Sequence, residues 1–306
     1  MINKQNILVS IIIPVFNDEN DLEETLKCIE RQDFDENLME TIVVDNGSSD
    51  NSLKIAGKFD FVKLVLEHEK LSSPYSARNR GIENSNGKII VLLDSTCKPA
   101  KTWLREGINE FLKKKYDIAG GEVKFNFKKK YTISEYYDSL INIKMKKSII
   151  ERQVSKTANM FINRDVFDKI GYFPEGVRSG ADVRWTRNAS ISGYKIHFIE
   201  SAIVYKEPRK FLMLLKKQWR VGIGQPSIWI DETGRSEFLK HVRISKLLPP
   251  KRSSIRELIS NSDNQDMINS LTKLQILGFF VKIVMFFANV VGYFKIFVKK
   301  YFYKKR

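Results

Sequence analysis

Charged side chains follow several apolar runs of the sequence, at points where predicted β-strands would end. Asp45 ends the run TIVVD, Asp94 ends KIIVLLD, and Asp182 lies in SGADVRW. A carboxylate can accept hydrogen bonds from a base or a ribose, ligate a divalent cation or act as a general base. Arg78, in SARNRG, carries a planar guanidinium that suits phosphate oxygens. These residue types indicate a site for a phosphorylated ligand, provided that the fold brings them together.

The first half of the sequence alternates between strand and helix patterns. ILVSIIIPVF is β-branched and apolar, and DLEETLKCIERQ follows it with Leu22, Leu26 and Ile29 at helical spacing. Further strands are predicted at TIVVD, VKLVLEH and KIIVLLD. This βαβ order predicts an α/β fold with a mostly parallel central sheet. Ligands bind such sheets outside the carboxyl ends of the strands, where the sequence has Phe16, Asn17, Asp45, Asn46 and Asp94.

The composition excludes a disordered chain and indicates an anionic partner. The 306 residues are 42% hydrophobic, and Lys and Arg outnumber Asp and Glu by 52 to 36, which gives a net charge of +16. Such a charge favours nucleic acid, lipid headgroups or a phosphorylated substrate. No zinc, helix-turn-helix or RNA-binding signature is present, so we predict no nucleic-acid partner. Cys28 and Cys97 fit no metal-ligand spacing, and we expect two free thiols in a reducing compartment.

Five segments of the sequence resemble those of family 2 glycosyltransferases, which have the GT-A fold. The segments follow the order and approximate spacing of the family: VSIIIPVFNDENDLEETLKCIERQ, IVVDNGSSDNS, ARNRGIENSNGKIIVLLDSTCKP, TANMFINRDVFDKIGYF and SGADVRW. The resemblance covers about residues 7–225. It implies a nucleotide-binding α/β sandwich that transfers a sugar, with inversion, from a nucleoside diphosphate, usually UDP, to an acceptor hydroxyl.

The resemblance also implies roles for particular residues. Asp182 would be the general base on the acceptor hydroxyl, and the residue before it, often glutamate in the family, is Ala181. The donor would be held by Pro14, Phe16, Asn17, Asp45, Arg78, Asn79, Asp94 and Ser95, and the acceptor side would include Trp219 and Arg220. Structural roles stay open for three of them, because Asp45 could stabilise a turn, Asp182 could cap a helix and Trp219 could be ordinary core.

Two departures from the family pattern bear on a metal site. The family usually has Asp-x-Asp after the fourth strand, and its second aspartate contacts the divalent ion; here that position is Thr96. A later strand usually ends in Tyr-His, and here Lys206 replaces the histidine. Asp94 alone could still anchor Mg²⁺ or Mn²⁺ together with the phosphates. Alternatively, Lys206, with Lys98 or Arg78, could stabilise the departing diphosphate, since the two replacements raise the local charge by about two units.

The carboxyl-terminal segment is apolar and basic. A membrane span needs about 20 apolar residues, and Lys282 interrupts the run LQILGFFVKIVMFFANVVGYFKIF. Gln275, Lys282 and Asn289 recur every seven residues and form one narrow polar stripe. The pattern predicts that residues 274–306 lie on a membrane surface, with the basic tail on anionic lipid. A span over 274–297, or a helix packed on the protein's own core or on a second copy in a homo-oligomer, is the alternative.

These features predict a membrane-associated inverting glycosyltransferase with a GT-A domain at 1–230 and a helical, membrane-associated region at 231–306. The amino terminus predicts a first strand rather than a signal peptide, so we expect the enzyme at the cytoplasmic face of the cell membrane. The acceptor would be a glycan or a lipid-linked sugar in cell-surface polysaccharide synthesis. A noncatalytic relative that binds a nucleotide sugar or a partner enzyme is the alternative, suggested by Thr96 and Ala181. A dehydrogenase is disfavoured because no G-x-G-x-x-G follows the first strand.

Overall fold

The computed structural model describes residues 7–71, 73–233, 247–262 and 268–302. The chain forms two compact units. The first unit comprises Met1–Phe125, Ile143–Val177 and Ala181–Lys206, and the second comprises Asn126–Asn142, Arg178–Gly180 and Glu207–Arg306. The second unit takes in segments on both sides of the predicted boundary at residue 230, and the division into domains at 1–230 and 231–306 stays a prediction.

The first unit is built on an eight-stranded sheet. In chain order its strands are β1 (Val9–Val15), β2 (Met39–Asp45), β3 (Val62–Leu66), β4 (Ile89–Leu93), β5 (Cys97–Pro99), β6 (Ile118–Phe125), β7 (Asn159–Asn163) and β8 (Ile196–Lys206). Their order across the sheet is β3-β2-β1-β4-β7-β6-β8-β5. β1 pairs parallel with β2 and β4, β2 with β3, and β6 with β8. The predicted α/β sheet is confirmed, with β7 and the short β5 running antiparallel to their neighbours.

Helices connect the strands and form the second unit. In chain order the described helices are α1 (Glu19–Glu30), α2 (Ser52–Ala56), α3 (Pro74–Glu83), α4 (Trp103–Lys113), α5 (Ile133–Ile141), α6 (Met145–Arg152), α7 (Arg164–Ile170), α8 (Ala181–Ile191), α9 (Phe211–Thr233), α10 (Arg252–Ser260) and α11 (Leu271–Phe302). Of these, α5, α9, α10 and α11 lie in the second unit. The predicted alternation of strands and helices in the first half of the chain is therefore confirmed.

Apolar side chains cover both faces of the sheet. Successive residues of β1 point to opposite faces, so Ile11 and Ile13 pack with Leu22 of α1, whereas Ile12 packs in a separate cluster with Ile82 of α3. Every residue of β1 is buried. Burial on both faces explains why the strand is a continuous apolar run, and it leaves polar side chains to appear only where the strands end.

The second unit is helical and has its own core. Helices α5, α9, α10 and α11 contribute Tyr136, Leu214, Ile255 and Leu274 to one apolar cluster. By length and composition, Leu271–Val298 in α11 is the one helical stretch of the described residues that could cross a membrane, and 33% of its most apolar window is buried in the protein. The predicted apolar helix is thus present at the carboxyl terminus. Residues 303–306 of the predicted membrane-binding segment lie outside the described residues.

The narrow polar stripe of α11 contacts the protein. Asn289 is buried, Lys282 Nζ donates to the Leu248 carbonyl oxygen at 2.5 Å, and Gln275 Nε2 donates to the Pro250 carbonyl oxygen at 3.1 Å. The exposed side of the helix is instead apolar, with Ile276, Phe280, Phe287, Phe294 and Phe297. The stripe satisfies carbonyls of the segment that precedes α10, and the aromatic side of α11 is the one that faces solvent.

Candidate active site

Asp45 both stabilises a turn and presents an acceptor. It ends β2, and its Oδ2 accepts hydrogen bonds from the backbone N–H groups of Gly47 and Ser48, each at 3.1 Å. This is the turn-stabilising role that the sequence left open. Its Oδ1 is buried and has no hydrogen-bond partner within the described residues, and the same holds for Oδ1 of Asn46. Because unpaired buried acceptors are rare and costly, these two oxygens suit a ligand donor such as a base imide.

The end of β1 is tied to this turn. Asn17 has a left-handed backbone (φ 51°), and its Oδ1 accepts a hydrogen bond from the Ser49 N–H at 2.7 Å. Its own N–H donates to Ser48 Oγ at 3.0 Å. Phe16 is 42% exposed beside it, whereas Pro14 is buried within the strand. Of the three predicted donor contacts at this strand end, Phe16 and Asn17 are therefore exposed and Pro14 is buried, and their contacts to the donor stay predictions.

Asp94 lies between two cations at the end of β4. Arg78 of α3 donates from Nη2 to Asp94 Oδ1 at 2.7 Å, and Lys206 Nζ lies 3.7 Å from Oδ2. Lys206 Nζ also donates to Thr96 Oγ1. The register of the sheet sets this arrangement, because β5 follows Thr96 directly and pairs its Cys97 with Lys206 of β8. Residues that are far apart in sequence thus form one charged cluster.

Asp18 is a site residue that the sequence analysis missed. The Ser95 hydroxyl donates to its carboxylate, and this places Asp18 next to the turn that carries Asp94. Burial raises the pKa of Asp18 from 3.8 to about 6; the Ser95 hydrogen bond opposes this shift, and the negative charge of Asp21 adds to it. A signal was present, since Asp18 lies three residues after β1 at the carboxyl edge of the sheet.

Asp182 connects to the same cluster through an aromatic residue. The Tyr75 hydroxyl donates to Asp182 Oδ1 at 3.0 Å, and the Val183 N–H donates to the same oxygen at 2.9 Å. The guanidinium of Arg78 lies over the Tyr75 ring, 5.4 Å from its centroid. Asp182, Tyr75, Arg78 and Asp94 therefore form a continuous chain of contacts. Asp182 is the second residue of α8, so it lies inside the first turn and not at the capping position before the helix that the sequence left open.

Two further residues next to Asp182 and Arg78 were not predicted. Burial raises the pKa of the Tyr75 hydroxyl well above its usual value, and the charge of Asp182 adds to this effect, so Tyr75 remains a hydrogen-bond donor. Lys156, before β7, has its pKa lowered by burial, while the charge of Asp182 raises it. Neither residue belongs to a motif that the sequence shows, because each reaches Asp182 only through the tertiary fold.

Asn79 positions a loop in this structure. Its Nδ2 donates to the Phe173 carbonyl at 2.9 Å and to Glu175 Oε1 at 3.3 Å, and its Oδ1 accepts from the Phe173 N–H at 3.1 Å. The amide thus holds the 173–175 segment against α3. Its predicted contact to the donor stays a prediction.

The predicted acceptor residues lie on α9 in the second unit. Trp219 is 41% exposed, so it is not the ordinary core residue that the sequence left as an alternative. Arg220, next to it, is exposed as well. Their role at the acceptor side stays a prediction.

The side chains around Asp94 do not fit the divalent-cation site that the family pattern implies. Over the ranges that the structure describes, no group of three or more His, Cys, Asp and Glu side chains could hold a metal ion. Hard cations take oxygen ligands, commonly one or two carboxylates with substrate phosphates. Arg78 already contacts one oxygen of Asp94, and Lys206 lies near the other. Thr96 is neutral and therefore adds no negative charge that would attract a metal ion. A carboxylate with a cation at each of its oxygens is a poor ligand for Mg²⁺ or Mn²⁺.

The chain is similar in sequence to known glycosyltransferases. The profile described as Glycosyl transferase family 2 matches residues 10–173, more than half of the chain. Glycosyltransferase AglE of Haloferax volcanii is 40% identical over 226 residues, which are 72% of this chain and 74% of that protein. The profile match covers the strand that ends in Asp45, the strand that Asp94 follows and the helix that carries Arg78.

Two solved structures share the fold. S. aureus TarS 1-349 in complex with UDP-GlcNAc aligns with a TM-score of 0.56 and 18% identity, covering 94% of this chain and 91% of that one. Mannosyltransferase PcManGT from Pyrobaculum calidifontis, in complex with GDP-Man and Mn²⁺, aligns with a TM-score of 0.62 and 17% identity, covering 94% and 87%. At these identities the likeness establishes the fold, which is GT-A. With this fold and the matching sequence profile, the chain belongs to glycosyltransferase family 2.

Proposed function

We propose that this chain is an inverting glycosyltransferase that moves a sugar from a nucleoside diphosphate to a hydroxyl of a glycan or lipid-linked acceptor. The observation that carries the proposal is the continuous contact chain from Asp182 through Tyr75 and Arg78 to Asp94. It sets a carboxylate suited to deprotonating an acceptor within one cluster with a guanidinium suited to a diphosphate. UDP-sugar is the preferred donor class, and the GDP-Man bound by one fold neighbour makes a GDP-sugar the competing class.

Donor binding uses the carboxyl ends of β1, β2 and β4. The unpaired Oδ1 atoms of Asp45 and Asn46 accept hydrogen bonds from the base or ribose, and exposed Phe16 offers a surface for stacking. Arg78 binds phosphate oxygens with its planar fork. These contacts hold the donor by its nucleotide, so the sugar is presented toward Asp182.

Transfer is a single displacement at the anomeric carbon. Asp182 accepts the proton of the acceptor hydroxyl, whose oxygen forms the new bond to the anomeric carbon as the bond to the diphosphate oxygen breaks. The bonding electrons leave with the diphosphate, and the configuration inverts. Tyr75 and the Val183 N–H both contact Oδ1, which fixes the carboxylate and directs Oδ2 to the hydroxyl.

Replacement of the base tests the proposal. Asp182→Asn should lower sugar transfer by about 100-fold or more, because a positioned general base contributes on the order of 10²–10⁴ in rate. Nucleotide affinity should change by less than about threefold. The assay measures release of nucleoside diphosphate from a panel of UDP- and GDP-sugars, with calorimetry for binding. Asp165→Asn, an exposed aspartate in the first turn of α7, is the matched control. Full turnover by Asp182→Asn would contradict the assignment.

A noncatalytic, nucleotide-sugar-binding role is the second candidate, since Thr96 and Ala181 replace acidic residues of the family pattern. It predicts that the panel includes a donor that binds the protein but is never turned over. Turnover that depends on Asp182 would exclude it.

Membrane association is part of the proposal and is supported by α11. Its exposed side carries Phe280, Phe287 and Phe294, and no acidic residue follows Asp266, whereas eight lysines and arginines do. A groove of ≈ 550 Å³ in the second unit is lined by Thr132, Ile133, Ser134, Lys210, Phe211, Lys273, Ile276, Leu277 and Phe280. Apolar lining with two lysines matches the chemistry of an anionic lipid. We place the enzyme at the cytoplasmic face of the membrane, acting in cell-surface polysaccharide synthesis.

A further inference from the structure

Lys206 holds an unusual position for a lysine. Only 3% of the residue is exposed, and its ammonium is within hydrogen-bonding reach of Thr96 Oγ1 and 3.7 Å from Asp94 Oδ2. Lysines are almost never buried to this degree unless they are paired. Its backbone is fixed opposite Cys97 in the β5–β8 ladder, so the ammonium is held at this point by the sheet. The ammonium therefore stands next to the residue that replaces the family's second aspartate.

The charges of the cluster balance without a metal ion. Asp94 and Asp18 are met by Arg78 and Lys206, and Asp21 is paired with Lys98, whose Nζ lies 3.1 Å from Asp21 Oδ1. The three carboxylates and the three cations of this group therefore balance in formal charge. An aspartate at position 96 and a neutral histidine at position 206 would leave two negative charges in excess, which is the charge that a divalent cation neutralises. The two departures from the family pattern thus compensate for each other.

Both cations retain capacity to bind phosphate. An ammonium has three donors, and Lys206 directs one to Thr96, one toward Asp94 and one to Cys97 Sγ at 3.9 Å. Because a thiol sulfur is a weak acceptor, a phosphate oxygen can take its place. Arg78 is 3% exposed, and its Nε has no hydrogen-bond partner within the described residues. The Asp94 side chain between them is 32% exposed, so the cluster opens to solvent. A diphosphate that enters here meets fixed donors.

We propose that Lys206, together with Arg78, binds the diphosphate of the donor in place of a divalent cation, so that donor binding and transfer do not depend on a metal. This inference rests on the proposed glycosyltransferase function. As the bond between the sugar and the diphosphate breaks, negative charge grows on the terminal phosphate. Cations that are fixed before the reaction stabilise such charge without rearrangement.

Binding of free nucleotides tests this directly. Calorimetry with UDP and GDP identifies which nucleotide the wild-type protein binds. The affinity of the wild type for that nucleotide in EDTA should agree within about threefold with its affinity in Mn²⁺. Lys206→Met keeps the length of the buried stem but removes the charge. It should weaken diphosphate affinity by about 10- to 100-fold, the range expected for a charge-assisted hydrogen bond, and monophosphate affinity by less than about threefold. Lys146→Met, which removes an exposed lysine paired with Glu200, is the control and should change neither.

A gain of metal dependence is the complementary test. Thr96→Asp combined with Lys206→His restores the family pattern, so diphosphate affinity should be low in EDTA and rise at least about tenfold with Mn²⁺. The inference is overturned if wild-type binding is lost in EDTA and restored by Mn²⁺, or if Lys206→Met binds UDP and GDP as the wild type does. If the wild type bound neither nucleotide in any buffer, the proposed function would be overturned as well. This result distinguishes failure of the proposed function from failure of the metal-independent binding alone.

Discussion

Among single side chains, Asp18 links the ionisation of the site to the stability of the fold. Burial raises its pKa to about 6, against a hydrogen bond from Ser95 and with the repulsion of Asp21. Between about pH 4 and pH 6 the folded protein therefore holds a proton that the unfolded chain has released. Stability falls as the pH rises wherever the folded state binds more protons. We expect Asp18 to stabilise the fold less at neutral pH than at pH 4.

Asp18→Asn should remove the loss of folding stability that ionisation of Asp18 causes as the pH rises. The amide oxygen still accepts the Ser95 hydrogen bond, and the amide carries no charge. A shift of about two pKa units corresponds to at most about 3 kcal/mol, and solvent at the half-buried carboxylate reduces this to about 1–2 kcal/mol. In urea unfolding, Asp18→Asn and the wild type should have equal free energies of unfolding near pH 4, and at pH 7 the variant should be the more stable of the two. The exposed control Asp165→Asn should show no gap that grows with pH. A constant difference across the series would refute the assignment of this pKa.

Among the elements, β7 carries an amide that connects β6 and β8 with α4. Asn159, which is fully buried, accepts from Trp103 Nε1 at 2.9 Å and donates to the carbonyls of Glu122 and Ala202 at 2.9 and 2.8 Å. The register between β6 and β8 shifts at Gly121/Glu122, so the amide satisfies carbonyls next to an irregular part of the ladder. This side chain stabilises the sheet beside the turn that carries Asp94.

Asn159→Leu should destabilise the protein by about 3–5 kcal/mol, since it removes three hydrogen bonds from a fully buried amide. Chemical denaturation with tryptophan fluorescence measures the loss. Asn188→Leu, an exposed position on α8, is the matched control and should change stability by less than about 0.5 kcal/mol. If both variants unfolded at the same denaturant concentration, the three hydrogen bonds of Asn159 would have no net stabilising role.

The elements of the first unit could be predicted because their signals are local. The apolar run of β1 and the helical spacing of Leu22, Leu26 and Ile29 follow from periodicity alone. The contact between Lys206 and Thr96 could not be located in this way, because it joins residues 110 positions apart and depends on a strand of three residues. The proximity of Tyr75 to Asp182 is likewise set by tertiary packing.

For the molecule as a whole, the net charge of +16 and the exposed aromatic side of α11 favour the same partner. A basic chain is attracted to an anionic bilayer, and apolar side chains then leave water at its surface. The polar stripe of α11 contacts protein, so only its aromatic side remains for lipid. This arrangement supports a helix that lies along the membrane surface rather than one that spans it.

Phe280→Asn combined with Phe287→Asn should therefore weaken binding to vesicles that contain anionic lipid. Each ring is about half exposed in the protein, so inserting both into lipid contributes about 2 kcal/mol, or about 30-fold in partitioning. Sedimentation with vesicles measures the effect. Raised salt should weaken vesicle binding by both the wild type and the double variant, because salt screens the basic residues. Leu112→Asn combined with Ile191→Asn removes two exposed apolar side chains from the first unit and should leave binding unchanged. Equal partitioning of the two double variants would mean that the aromatic side of α11 does not face lipid.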